Sequence, residues 1–219
     1  MQDAMRRGIL ERAEIKALAK LRFKAHYWPM VAAAVIPALV VLLLGATYVG
    51  WLAAFAAGPV LQVHAALFFL LCWRGERPQV ASLFQNFFDG FGRKLGGMLW
   101  AELKAFLWSL LFVIPGIVKA LAYSMTPYIL AEYPGVSAMD ASVLSERITQ
   151  GYKGDVFVMA LSFIGWMLLS AFTFGVVHIL YTGPYMNTAM AGLYEELMQN
   201  ALQEGRITRE MLDGSPPVL

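Results

Sequence analysis

"LLFVIPGIVKALAY", residues 110–123, is the stretch on which the fold turns. It lies inside an almost unbroken apolar run from 98 to 131. As one helix that run would be about 50 Å long at 1.5 Å per residue, against a hydrocarbon core of about 30 Å. Pro115-Gly116 suits a type II turn, with proline presetting φ at the second position and glycine supplying the positive φ at the third. The run therefore reads as a hairpin with arms 98–114 and 117–133. Lys119 then sits one turn from the far interface, its stem in lipid and its ammonium in water. The rival reading is a single tilted, proline-kinked span, which would put 134–154 outside the cell. Arg147 and Lys153 in that loop favour the hairpin, which keeps them inside with Arg74, Arg77, Arg93 and Lys94.

The flanking sequence has the same character. Of 219 residues, 59% are hydrophobic and 15% charged, well below the roughly 25% charged of a soluble domain. "MVAAAVIPALVVLLLGATYVGWLAAFAAGPVLQVHAALFFLLCW" (30–73) holds two spans of about 20 residues, and it lacks the short h-region and cleavage site of a removed signal peptide. The expected class is a multi-pass membrane protein. Arg6, Arg7, Arg12, Lys16, Lys20, Arg22 and Lys24 outnumber Asp3, Glu11 and Glu14 ahead of the first span, which places the N-terminus in the cytoplasm. Cys72 is the lone cysteine, and His26, His64 and His178 lack ligand spacing, so neither a disulfide nor a metal or other cofactor is expected.

A threefold pattern follows from the hairpin. Turns fall at Gly50, at Pro115-Gly116 and at Gly175, and each is followed by a second proline: Pro59 in "AAGPV", Pro127 in "SMTPY", Pro184 in "YTGPY". The gaps from turn glycine to proline are 9, 11 and 9 residues. A more polar segment with one apolar helical face precedes each hairpin. The faces are Leu10, Ala13, Ala17 and Leu21; then Leu83, Phe84, Phe87, Phe88 and Phe91; then Ala141, Leu144, Ile148 and Tyr152. The expected fold is an all-α membrane protein of six transmembrane helices in three hairpins, each hairpin preceded by a cytoplasmic interfacial helix. The spans are roughly 28–49, 51–73, 98–114, 117–133, 155–174 and 176–198, in units of about 9–73, 79–133 and 137–198. Residues 1–199 form one membrane domain with both ends inside, and the polar stretch 200–219 is expected to fray or lie on the surface.

Several of the quoted stretches resemble a known family. "RGERPQVASLFQNF", "LWSLLFVIPGIVKALAYSMTPYILAEYP", "LSERITQGYKGDVFVMALSFIGWMLLSAFTFG" and "PYMNTAMAGLYEEL" are similar to the domain of unknown function 975 family of bacterial integral membrane proteins, over roughly residues 9–198. The resemblance implies a prokaryotic cytoplasmic membrane protein and implies no activity. "GYKGDVF" departs from it, with Tyr152 and Gly154 where members often carry His and Trp.

The prolines inside the second arms free the carbonyls of Phe55, Tyr123 and Leu180, and at membrane depth these need partners or a cavity. Either three kinked helices converge on a polar pore rimmed by Tyr128 and Tyr185, or neighbouring groups such as Ser124 and Thr182 heal the kinks. Gln62 lies three residues past Pro59 and Asn187 three past Pro184, with His64 nearby; they form the candidate intramembrane polar site, as function or as interhelical glue. Glu102 and Lys104, at i and i+2, do not share a helix face. Arg12, Lys16, Lys20 and Lys24 recur every four residues and are expected to meet anionic lipid headgroups at the cytoplasmic face; nothing points to nucleic acid. No nucleophile–base pair, phosphate loop or paired carboxylate appears. The first expectation is therefore a non-enzymatic protein that binds lipids or a membrane-protein partner. The second is a small transporter or channel at the kinked helices, and an intramembrane enzyme trails both.

Overall fold

The computed structural model describes residues 12–47 and 50–213. It is all-helical, with no strand among the described residues. In chain order the helices are α1 (Arg12–Ala25), α2 (Tyr27–Gly45), α3 (Gly50–Arg74), α4 (Phe91–Leu111), α5 (Val113–Tyr123), α6 (Thr126–Glu132), α7 (Ala138–Thr149), α8 (Lys153–Leu161), α9 (Ile164–Phe172), α10 (Gly183–Gln203) and α11 (Arg209–Leu212). A 3₁₀ turn covers Val80–Leu83, and a π-helical turn, His178–Thr182, leads into α10. Among the described residues four stretches are long and apolar enough to cross a membrane: Tyr27–Gly45, Gly50–Arg74, Val113–Glu132 and Lys153–Phe172.

The decisive reversal comes three residues earlier than the Pro115-Gly116 turn expected from sequence. Phe112 is extended (φ −156°, ψ 140°) and separates α4 from α5. Pro115 sits in the first turn of α5, where a missing N–H costs nothing because the first four amides of a helix have no intrahelical partner. Gly116 serves close packing: a Cβ there would lie 2.6 Å from the Ser109 Cα. Farther along, the Tyr123 ring meets the Lys104 ammonium at 4.4 Å, so α5 runs back beside α4. Between α2 and α3, Val41 packs over Gly58. The Gly50 amide donates to the Thr47 hydroxyl (3.0 Å), which caps the start of α3. After α9 the chain turns at Phe174 (φ 50°) and Gly175 (φ 84°), and the Gly175 amide closes on the Ser170 carbonyl at 2.8 Å. This is the six-to-one bond of a Schellman-type stop.

The segments ahead of the hairpins depart from expectation. α1 buries Ile15, Ala19 and Phe23, while Ala13, Ala17 and Leu21 are exposed and Leu10 lies outside the described residues. The face was misread because aliphatic and aromatic residues flank it on both sides. The second segment is not one amphipathic helix: it is the 3₁₀ turn and a run of turns with Asn86 and Gly90 at positive φ. It buries Leu83 and leaves Phe88 84% exposed. The third, α7, does bury Ala141, Leu144 and Ile148. Its start is N-capped by Ser137, with the Asp140 amide donating to the Ser137 hydroxyl (3.2 Å) and that hydroxyl donating to the Asp140 carboxylate (2.6 Å).

The large buried side chains, among them Ile15, Phe23, Met30, Phe68, Phe69, Ile129, Phe163 and Tyr194, form one core. The polar stretch after 199 joins it through Ile207 and Leu212, and Arg206 Nη1 donates to the carbonyls of Arg147, Ile148 and Gln150 at the end of α7. Large exposed apolar residues gather instead on three stretches, Leu39–Phe55, Leu103–Val118 and Phe157–Leu180, around the chain reversals. Apolar surface on that scale marks contact with something other than water.

Candidate functional site

Gln62 of α3 and Asn187 of α10 line one groove of about 640 Å³, with α2 as its third wall. Pro37, Val41, Leu42, Leu61, Phe69 and Ile179 make the groove apolar. Neither carboxamide is hydrogen-bonded to another described residue. His178, which sequence reasoning treated only as a stray histidine, joins them from the π-helical turn. That turn exists because Pro184 has no amide for the Leu180 carbonyl: the ladder slips by one residue, and the Gly183 amide donates to His178 five residues back.

The other expected members lie elsewhere. His64 Nδ1–H donates to the Val60 carbonyl at 2.9 Å, which leaves Nε2 to accept from the Lys94 ammonium at 3.2 Å. Its ring stacks on Phe87 with centroids 5.9 Å apart. It thus holds the Phe-rich turn against α3. Burial, reinforced by neighbouring Arg93 and opposed by Asp89, lowers the pKa of Lys94. Tyr128 stacks on Tyr194 at 5.0 Å. The Tyr185 hydroxyl donates to the Lys16 carbonyl (3.2 Å), and its ring packs edge-on against Phe163. Both tyrosines are buried among helices.

The three prolines are accommodated differently. Pro59 stays within continuous α3. Pro184 follows the π-helical turn. Pro127 opens α6 after a break at Ser124-Met125, and α7 repairs that break. Ser145 accepts from the Met125 amide (3.1 Å) and donates to the Ala122 carbonyl (2.7 Å), which Thr149 also reaches at 3.3 Å.

Of the basic stripe, Arg12 approaches Asp155 at 3.8 Å and Lys16 donates to the Ser162 hydroxyl at 3.1 Å; Lys20 and Lys24 are exposed. Sequence reasoning missed the cluster at the other end of the helices. There Arg74 bonds Glu132 at 2.5 Å and Glu195 at 2.8 Å, and the Tyr194 hydroxyl donates to Glu132 at 2.8 Å. The available signal was one charge at or near the end of each second arm. Among the described residues no three His, Cys, Asp or Glu side chains gather in a way that could hold a metal.

Asn187, the π-helical turn and the Ser145 repair all fall within residues 105–201, which match the family model described as protein of unknown function (DUF975). That match spans less than half of the 219 residues. The DUF975 match is narrower than the span of the resemblance and includes α5 through most of α10, so it covers one wall of the groove and leaves α2 and α3 outside. No curated protein and no solved structure matches the chain.

Proposed function

We propose that this chain is a multi-pass membrane protein that crosses the bilayer as three hairpins, with both ends cytoplasmic, and that it binds a lipid in the groove between α2, α3 and α10. The reading rests on one observation: two carboxamides without hydrogen-bond partners among the described residues line one mainly apolar, laterally open groove. Its volume of about 640 Å³ lies within the range of ligand sites. A lipid tail gains little by leaving neighbouring tails, which are as apolar as the groove, so selectivity must come from the polar groups. Each amide contributes about 0.6–2 kcal/mol, by analogy with hydrogen bonds between membrane helices. Gln62 and Asn187 would donate to the ester carbonyls while the tail lies along Leu42 and Ile179. Lys20 and Lys24, exposed at the end of α1, would meet anionic headgroups. The role is binding rather than catalysis.

The test is a lipid carrying a photoactivatable tail, cross-linked to the protein in nanodiscs and mapped by mass spectrometry. Adducts should concentrate on α2, α3 and residues 178–187, and Ala38→Phe, which fills the groove, should abolish them. Adducts spread evenly over every lipid-facing helix would refute the reading. A second reading, a small transporter, draws on Gln62 lining both this groove and a smaller cavity; solute flux in proteoliposomes that Gln62→Leu abolishes would select it.

A further inference from the structure

The smaller cavity, about 190 Å³ between α3, α4 and the α5–α6 junction, is a second site, and we propose that it takes a primary ammonium group. Gln62, Glu102, Tyr123, Ser124, Thr126 and Pro127 line it, with Met98 and three alanines completing the wall. Thr126 is fully buried, and its hydroxyl has no hydrogen-bond partner. A buried hydroxyl left unmade costs free energy that a bound donor would recover. Glu102 forms no ion pair or hydrogen bond with a described residue. The nearby cations are committed elsewhere: Lys104 donates to the Ser142 hydroxyl at 2.6 Å, and Lys119 bonds Glu146 at 2.6 Å. A carboxylate on a lipid-facing helix wants a positive partner. Pro127 has no amide to offer the Tyr123 carbonyl four residues earlier, which adds a third oxygen.

Carboxylate, hydroxyl and carbonyl match the three N–H donors of an ammonium. A bare metal ion fits less well. The cavity is several times the roughly 30 Å³ share of one water, wider than the close oxygen shell that a bare ion needs. The cavity's apolar walls suit the short carbon stem of an amine. The neighbourhood already binds one such group, since the Lys104 ammonium lies 4.4 Å over the Tyr123 ring while donating to a hydroxyl.

The ammonium could belong to a free small amine or to a lipid headgroup, and two measurements separate them. One titrates the detergent-solubilised full chain with n-butylammonium by calorimetry. The other compares retention of phosphatidylethanolamine and phosphatidylglycerol from nanodiscs by native mass spectrometry. Saturable binding in the first assigns a free amine; preferential retention of the ethanolamine lipid in the second assigns a headgroup. In either, Glu102→Gln and Thr126→Val should each weaken binding about tenfold or more, the usual loss for a hydrogen bond to a charged group. Phe88→Ala, at an exposed residue that lines neither cavity, should leave it unchanged. Thr126→Val removes an unpartnered hydroxyl while keeping the side chain's shape, so it stays informative even where Glu102→Gln does not fold. Binding that is absent from both assays, indifferent to Glu102 and Thr126, or lost with Phe88→Ala overturns the assignment.

Discussion

Arg93 shows how much a single side chain can hold here. Its guanidinium donates to the carbonyls of Leu130 (2.8 Å), Val136 (3.0 Å) and Tyr133 (3.3 Å). These groups end α6 and begin the next loop, where carbonyls have no intrahelical donor. Arg93→Met should destabilise the purified protein by about 2–3 kcal/mol in thermal unfolding. Arg93→Lys should recover less than half of that, because a compact ammonium cannot span three carbonyls as a planar fork does. A full rescue by lysine would show that charge alone matters. Gly116→Ala should cost about 1–3 kcal/mol by prising α5 from Ser109. Sequence gave Arg93 only a side of the membrane, because its partners lie 37 to 43 residues away. His64 was legible as a polar residue at membrane depth, yet its partner Phe87 sits in turns where the sequence suggested a helix, and its partner Lys94 lies on α4, 30 residues away.

Among elements, the α5–α6 junction carries the clearest lesson. Pro127 announced a break in the sequence, and Ser124 was a sensible local repair; its hydroxyl does donate to the Leu121 carbonyl at 2.8 Å. The larger repair comes from Ser145 and Thr149, four residues apart on α7. Periodicity marked α7's apolar face but could not say that its hydroxyls served another helix's backbone. Ser145→Ala strands the Met125 amide and leaves the Ala122 carbonyl only the longer bond from Thr149, so it should lower stability by about 1–3 kcal/mol. Thr149→Val should cost less, since Ser145 also reaches that carbonyl; equal losses would contradict this division of labour. Reversal points were legible where glycine demanded them, as at Gly175 (φ 84°). They were misplaced where an ordinary residue, Phe112, could adopt extended geometry instead.

At the scale of the molecule, exposed apolar side chains gather at the chain reversals while the core occupies the other end. With Cys72 replaced by serine, single cysteines at Phe112 and Phe174 should both react with an impermeant thiol reagent from outside intact cells. One at Gly135 should be protected. Labelling of Gly135 together with protection of Phe112 would reverse the proposed arrangement. The all-helical class could be read from composition and run length. The pairing of Gln62 with Asn187 was legible only as a shared offset from proline, and the groove between them required α2 and the slipped turn at His178 to be in place.

The tie at Arg74 joins α3, α6 and α10 at a single level. From Arg74 to Gly58, on the groove wall, is 16 residues of unbroken helix, about 24 Å of lever arm. A rocking of about 5° around that hub would shift the distal wall by about 2 Å over such a length. Loosening one carboxylate at the hub, as in Glu195→Gln, is therefore expected to shift the mouth of the groove without altering any residue that a guest touches.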